Sequence, residues 1–252
     1  MSISTNADLV GMQKISEIVG KILRNMIEYA QPGMSTKEID DFGGDLFRKF
    51  EARSAPRLAY RFPGYTCISV NNEVAHGIPS KKKILKEGDL VNIDVSGELN
   101  GYWSDNGSSF VLGRDIHNHN NLVESSRQIL KKAIGNIKSG VKIADIGGLI
   151  ESEAHSRGLT VIKNLVGHGV GRKLHEDPGE IPCFYDATLW KKFNKNSVVA
   201  IETFISTKAT YAHSKGDGWT FITKDGSLVA QHEHTIVVTD NLPIILTESN
   251  LL

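Results

Sequence analysis

The chain has 252 residues, 40% hydrophobic and 23% charged, with 29 basic and 29 acidic side chains giving a formal net charge of zero. This is ordinary globular composition in a chain long enough to bury a substantial core. It excludes a global field that would draw the protein to nucleic acid or to an anionic membrane. The two cysteines, Cys67 and Cys183, exclude a disulfide framework and a four-cysteine zinc site. Reduced thiols in a reducing compartment fit them best. Residues Met1 to Asp8 lack the basic and apolar regions of a signal peptide, and no apolar run approaches a membrane span. A soluble cytoplasmic protein is therefore expected. The short lysine runs at 81–83 and 191–192 read as solvated surface.

In chain order, Leu9, Met12, Ile15, Ile18, Val19, Ile22 and Leu23 recur at helical spacing and predict a first helix. Gln31-Pro32-Gly33 ends it, and Ser35 with Glu38 three residues later forms a capping box that opens a second helix. Strands are expected near 67–70, 90–98 and 108–112. The second half repeats the plan. Helices are expected near 120–138 and 143–158, broken at Ser139-Gly140, with strands near 159–162, 198–206, 220–223 and 228–238. Pro32-Gly33 and Ser139-Gly140 occupy matching places in the two halves. The pattern predicts one α+β unit of two related halves around a central site, rather than two independent domains.

Five residues suited to hard divalent metals lie in segments that read as strands or tight turns: Asp94, Asp105, His168, Glu202 and Glu233. Four carboxylates and one imidazole are the usual inventory of a two-metal hydrolytic site. Around the first pair, Val91, Ile93 and Val95 point one way and Asn92, Asp94 and Ser96 the other. Asn100-Gly101 is a strong type I′ hairpin signal. If it is the whole turn, Leu99 pairs with Tyr102 and Ser96 with Asp105. Asp94 and Asp105 then share one face as diagonal neighbours, with Cβ atoms up to about 7–8 Å apart. Carboxylates placed so can jointly hold metals roughly 3.5–4 Å apart.

Elsewhere, His76 precedes Gly77-Ile78-Pro79 at the mouth of a strand, and glycines flank His168. Those glycines let the backbone bend close to a ligand. His175 follows seven residues later. Glu202 sits in an apolar strand, and a carboxylate there is costly unless paired, hydrogen-bonded or metal-bound. Each residue alone has a plainer reading: Asp94 as a hairpin stabiliser, His168 as a turn residue, Glu202 as the partner of a buried cation. His232 and His234 flank Glu233 and by alternation face the other way, so they are left out of the site.

Taken together, the blocks Asn72–Pro79, Gly88–Asp94 with Asp105, Gly167–Glu176, Ala200–Glu202 and Gln231–Val238 resemble type I methionine aminopeptidases, in order and spacing, from about residue 8 to residue 248. The resemblance implies a pita-bread fold, with two pseudo-symmetric halves and an antiparallel sheet surrounding a dinuclear metal site, and one catalytic domain over residues 1–252. It implies removal of the initiator methionine from nascent chains whose second residue is small, by attack of a two-metal-activated water on the methionyl carbonyl. Asp94, Asp105, His168, Glu202 and Glu233 would hold two divalent ions (Co, Mn, Fe or Zn). Asp94 and Asp105 would chelate one ion, Asp105 and Glu233 would bridge, and His168 and Glu202 would complete the second site. Glu202 would also shuttle a proton, His175 would stabilise the oxyanion, and His76 would bond the scissile nitrogen or leaving group. Phe62, Tyr65, Cys67, Leu174 and Trp219 would line the methionine pocket.

The implied partners are nascent polypeptide N-termini and, through that role, the ribosome. No nucleic-acid motif and no membrane is involved, and a monomer is expected. Relatives' appended zinc module, large C-terminal insertion and separate N-terminal domain are not expected, which argues against proline-specific relatives on the same scaffold. Three positions depart from the family pattern: Thr203 where proline is typical, Asn106 where threonine is common, and Leu174 where an aromatic is frequent. They bear on pocket shape and metal affinity more than on reaction type.

Overall fold

The structure is a computed structural model that describes residues 1–250. In chain order its elements are α1 (Asn6–Tyr29), α2 (Thr36–Lys49), β1 (Arg53–Ser54), α3 (Ala55–Tyr60), β2 (Cys67–Val70), β3 (Glu73–Ala75), β4 (Leu90–Leu99) and β5 (Tyr102–Val111). They continue with α4 (Asn120–Gly135), α5 (Ile143–Ser156), β6 (Thr160–Val161), β7 (Val166–Gly169), β8 (Glu176–Pro182), β9 (Val198–Ser206), β10 (His213–Ser214), β11 (Phe221–Ile222), β12 (Val229–Val237) and β13 (Ile244–Ile245).

The long helices begin where side chains replace missing backbone partners. Ser35 accepts from the Glu38 amide, and the Glu38 carboxylate accepts from the Ser35 amide at 2.8 Å. Thr5 and Asp8 form a second such box on α1 that the sequence reading did not single out. The apolar positions read at helical spacing are the buried face of α1, with Met12, Ile15, Val19, Ile22 and Leu23 fully enclosed. Removing each from water contributes roughly 1.5–3 kcal/mol.

Among the described residues a ten-stranded antiparallel sheet runs in the order β1-β4-β5-β12-β9-β7-β8, with β2 on β4, β6 on β9 and β13 on β12. A second antiparallel sheet joins β10, β11 and β3. Helix α1 packs on β4 and β5, whereas α4 packs on β9 and β12. Two hydrophobic clusters result, one under each helical layer. The pairing of β5 with β12 joins the two halves into one continuous sheet. This is the two-half α+β plan that the repeated helix–helix–strand order predicts.

Strand edges move little from their expected places, except that β5 begins six residues before the expected 108. Strand β8 and helix α3 were not expected as elements. Among the described residues no helix is long and apolar enough to cross a membrane. Both cysteines are free and buried. Burial pushes the Cys67 thiol well up and the Cys183 thiol up to about 12, so both stay protonated.

Candidate metal centre and its pocket

The hairpin register follows from the turn. Asn100 and Gly101 both adopt left-handed backbone, at φ 52° and 80°, as a two-residue type I′ turn requires. Leu99 therefore faces Tyr102, Ser96 faces Asp105, and Asp94 faces Gly107. Asp94 and Asp105 consequently line the same cavity. Across the sheet, Glu202 of β9 and Glu233 of β12 are directly opposite one another. His168 comes from β7, which pairs with β9 through Ala200.

Asp105, His168 and Glu233 each offer a ligand atom, and those atoms lie within 4.8 Å of one another, all buried. Asp94 and Glu202 line the same cavity beside them. Two residues outside the expected set hold this group together. Gln231 donates from Nε2 to Glu202 at 3.2 Å and to Glu233 at 3.0 Å. Asn92 in turn donates to Gln231 Oε1 at 2.8 Å. Asn92 was detectable by its alternation with Asp94, and Gln231 by its period-two spacing from Glu233.

The glycines beside His168 have a different role from the one expected. A Cβ at Gly167 would lie 2.6 Å from the Ala200 carbonyl, and one at Gly169 would lie 2.4 Å from that of Asp177. They let neighbouring strands, not a ligand, approach closely. His168 Nδ1 lies 3.0 Å from the Gly169 carbonyl, and its Nε2 lies 3.8 Å from Asp105. Burial pushes the His168 pKa down to about 3, so the ring is neutral, as a metal ligand must be.

The carboxylates show the opposite strain. Desolvation, ahead of any neighbour, pushes Asp94 up to about 6. Desolvation and then neighbouring carboxylates push Asp105, Glu202 and Glu233 well above the usual range. Oδ1 of Asp105 is buried without a hydrogen-bond partner. Crowded, desolvated carboxylates, an orphaned oxygen and a neutral imidazole fit a divalent metal centre. A cation there would remove the repulsion and satisfy the orphan.

His175, in the bend before β8, lies against His168 with ring centroids 4.0 Å apart and planes tilted by 48°. His76 follows β3 in a left-handed conformation, φ 53°, which is uncommon outside glycine and asparagine. Burial lowers the pKa of both rings, with His175 adding a smaller effect at His76. Buried Glu73 anchors this edge: its carboxylate takes Lys83 at 2.6 Å and Lys215 at 2.9 Å. The second lysine lies on the loop that carries Trp219.

Phe62, Cys67, Leu174 and Trp219 line a cavity of about 250 Å³ together with the candidate ligands, His76 and His175. Phe62 and Trp219 meet edge to face at 5.2 Å. Tyr65 is a correction: it is not among the lining residues. Its ring covers Gly44 and lies under the Arg57 guanidinium, 4.2 Å from the ring centroid. The tyrosine that lines the cavity is Tyr60. Of the three departures from the family pattern, only Leu174 lines the cavity. Thr203 faces away, its hydroxyl 3.2 Å from that of Ser126 on α4, and Asn106 donates to the Val95 carbonyl at 2.9 Å. His232 and His234 also face away, toward Ser126 and Thr247.

Comparison with known proteins agrees with this geometry. Residues 10–240 match the model of metallopeptidase family M24. The chain is 49% identical to methionine aminopeptidase 2 of Bacillus subtilis, covering 98% of this chain and 100% of that protein. It is 43% identical to a methionine aminopeptidase of Staphylococcus epidermidis, over 98% and 99% of the two chains. The crystal structure of methionine aminopeptidase from Thermotoga maritima superposes with a TM-score of 0.93 at 36% identity, over 98% of this chain and 99% of that one. With the fold, the donor set and whole-length similarity in agreement, the chain belongs to metallopeptidase family M24 and, within it, to the methionine aminopeptidases.

Proposed function

We propose that the protein removes the N-terminal methionine from polypeptides whose second residue is small, acting on nascent chains in the cytoplasm as one catalytic domain over residues 1–252. The observation that carries this reading is the meeting, in one cavity, of five metal-type ligands with a narrow apolar wall of Phe62, Cys67, Leu174 and Trp219. An unbranched thioether suits such a slot.

Asp94, Asp105, His168, Glu202 and Glu233 would hold two divalent cations drawn from Co, Mn, Fe and Zn. When bound, these supply Lewis acidity and make water acidic enough to ionise near neutral pH. The rest is work for the chain's own groups. Glu202, kept in place by Gln231, accepts and returns a proton during peptide-bond hydrolysis. His175 donates a hydrogen bond to the oxyanion that develops on the methionyl carbonyl. His76 bonds the scissile nitrogen. The aromatic wall excludes water and orients the methionine side chain. Docking at the ribosome and a monomeric state accord with this role.

The test is a peptide panel with metal supplied: Met-Ala-Ser, Met-Leu-Ser, acetylated Met-Ala-Ser and Leu-Pro-Ser. Rapid methionine release from the first peptide alone is the expected result. Cleavage of the acetylated peptide would refute recognition of a free amine. Cleavage of Leu-Pro-Ser alone would assign the site to proline-directed chemistry.

A further inference from the structure

Tyr60 ends α3 at the rim of the cavity, and Arg61 after it turns into left-handed backbone at φ 60°. Tyr60 sits against the residue just before β8. Its hydroxyl lies 2.5 Å from Nδ1 of His175, with the two rings 5.7 Å apart. A neutral imidazole carries one N–H and one lone pair, and the partner at one nitrogen decides which atom holds the proton. Burial, and then the charge on Asp105, raise the pKa of the Tyr60 phenol. The hydroxyl therefore keeps its proton and can donate it in a hydrogen bond. A donor at Nδ1 requires the lone pair there and the hydrogen on Nε2.

We propose that Tyr60 is a positioning residue for peptide-bond cleavage: its hydroxyl donates to Nδ1 of His175 and holds the ring in the tautomer that presents Nε2–H to the substrate's oxyanion. This rests on the proposed aminopeptidase reaction. Without Tyr60, either nitrogen can hold the hydrogen, and only one form can donate from Nε2. The effect falls on the transition state, where negative charge is greatest, rather than on binding of the ground state.

The test is Y60F, which keeps the ring of a side chain that is already 46% exposed. Long-range proton–nitrogen spectra of isotope-labelled histidine in the chelated protein read the His175 tautomer directly. Steady-state kinetics on Met-Ala-Ser with metal restored read its consequence. The expected result is a wild-type ring with hydrogen on Nε2, a mixture in Y60F, and a kcat lowered roughly 5–10-fold, as loss of one hydrogen bond implies. KM should stay nearly unchanged. A wild-type ring with hydrogen on Nδ1, an unchanged tautomer in Y60F, or an unchanged kcat would each overturn the proposal. A wild type that releases no methionine would defeat the reaction itself, while the spectra would still decide the hydrogen-bond assignment.

Discussion

Neutralising one metal-type carboxylate should make the chelated protein more stable, although it damages the site. Asp94 is the clearest case, since burial moves its pKa from an ordinary 3.8 to about 6. Because the folded pKa is the higher one, the folded state holds the extra proton between those values. Stability from this group is full below pH 4 and is lost as pH rises through 6. At 1.36 kcal/mol per unit, the ionised side chain costs the metal-free fold on the order of 2–3 kcal/mol above pH 7, the lower figure allowing for its partial exposure to the cavity. Asp94→Asn keeps the shape and removes the charge. In EDTA at pH 7.5 it should melt about 4–10 °C above wild type, given the usual conversion for a chain of this size. The gain should fall to about a third of that near pH 4.5 and approach zero only below about pH 3. Added manganese should raise the wild-type midpoint and move the variant much less. Scanning calorimetry at two pH values, with and without metal, provides the test. A variant less stable than wild type in EDTA at pH 7.5, or a gain independent of pH, would refute the electrostatic reasoning.

Other perturbations reach other parts of the account. Glu202→Gln should lower turnover by roughly 10²–10⁴-fold if this carboxylate carries the proton, and near-normal turnover would place the base elsewhere. Gly169→Ala forces a methyl group against the Asp177 carbonyl at 2.4 Å, so urea unfolding should show a loss of about 1–3 kcal/mol, and a neutral result would mean that β7 and β8 separate freely. Asp40 is buried and accepts from the Tyr65 amide, the Thr66 amide and the Thr66 hydroxyl, at 2.8, 2.9 and 3.0 Å. Asp40→Ala should therefore cost about 1–3 kcal/mol in the same assay and Asp40→Asn much less, and equal costs would show that charge rather than hydrogen bonding matters there.

The parts of the site that were legible in the sequence are those fixed by local rules. Asn100-Gly101 sets a two-residue turn, the turn sets the β4–β5 register, and the register puts Asp94 and Asp105 on one face. The Ser35–Glu38 box fixed the start of α2 in the same way. What escaped depends on contacts distant in sequence or on a single unusual dihedral. Helix α3 is too short for periodicity to reveal, though Pro56 near its start is a fitting residue. Tyr60 rather than Tyr65 lines the cavity, and Arg61 between them adopts a left-handed turn that no spacing rule announces. Strand β8 carries two prolines, a glycine and three acidic residues, so its sequence lacks a strand's apolar alternation. Thr203 looked like a threat to the pocket. Strand alternation beside inward-facing Glu202 already sends it to the α4 side, where Ser126 receives it.

The most direct measurement is methionine release from Met-Ala-Ser by chelator-stripped protein as Mn, Co, Fe or Zn is titrated back. The account predicts no release in chelator, release that appears with at least one of these metals, and saturation as the Asp94, Asp105, His168, Glu202 and Glu233 site fills. Undiminished release in chelator, or none with any of the four metals, would contradict it.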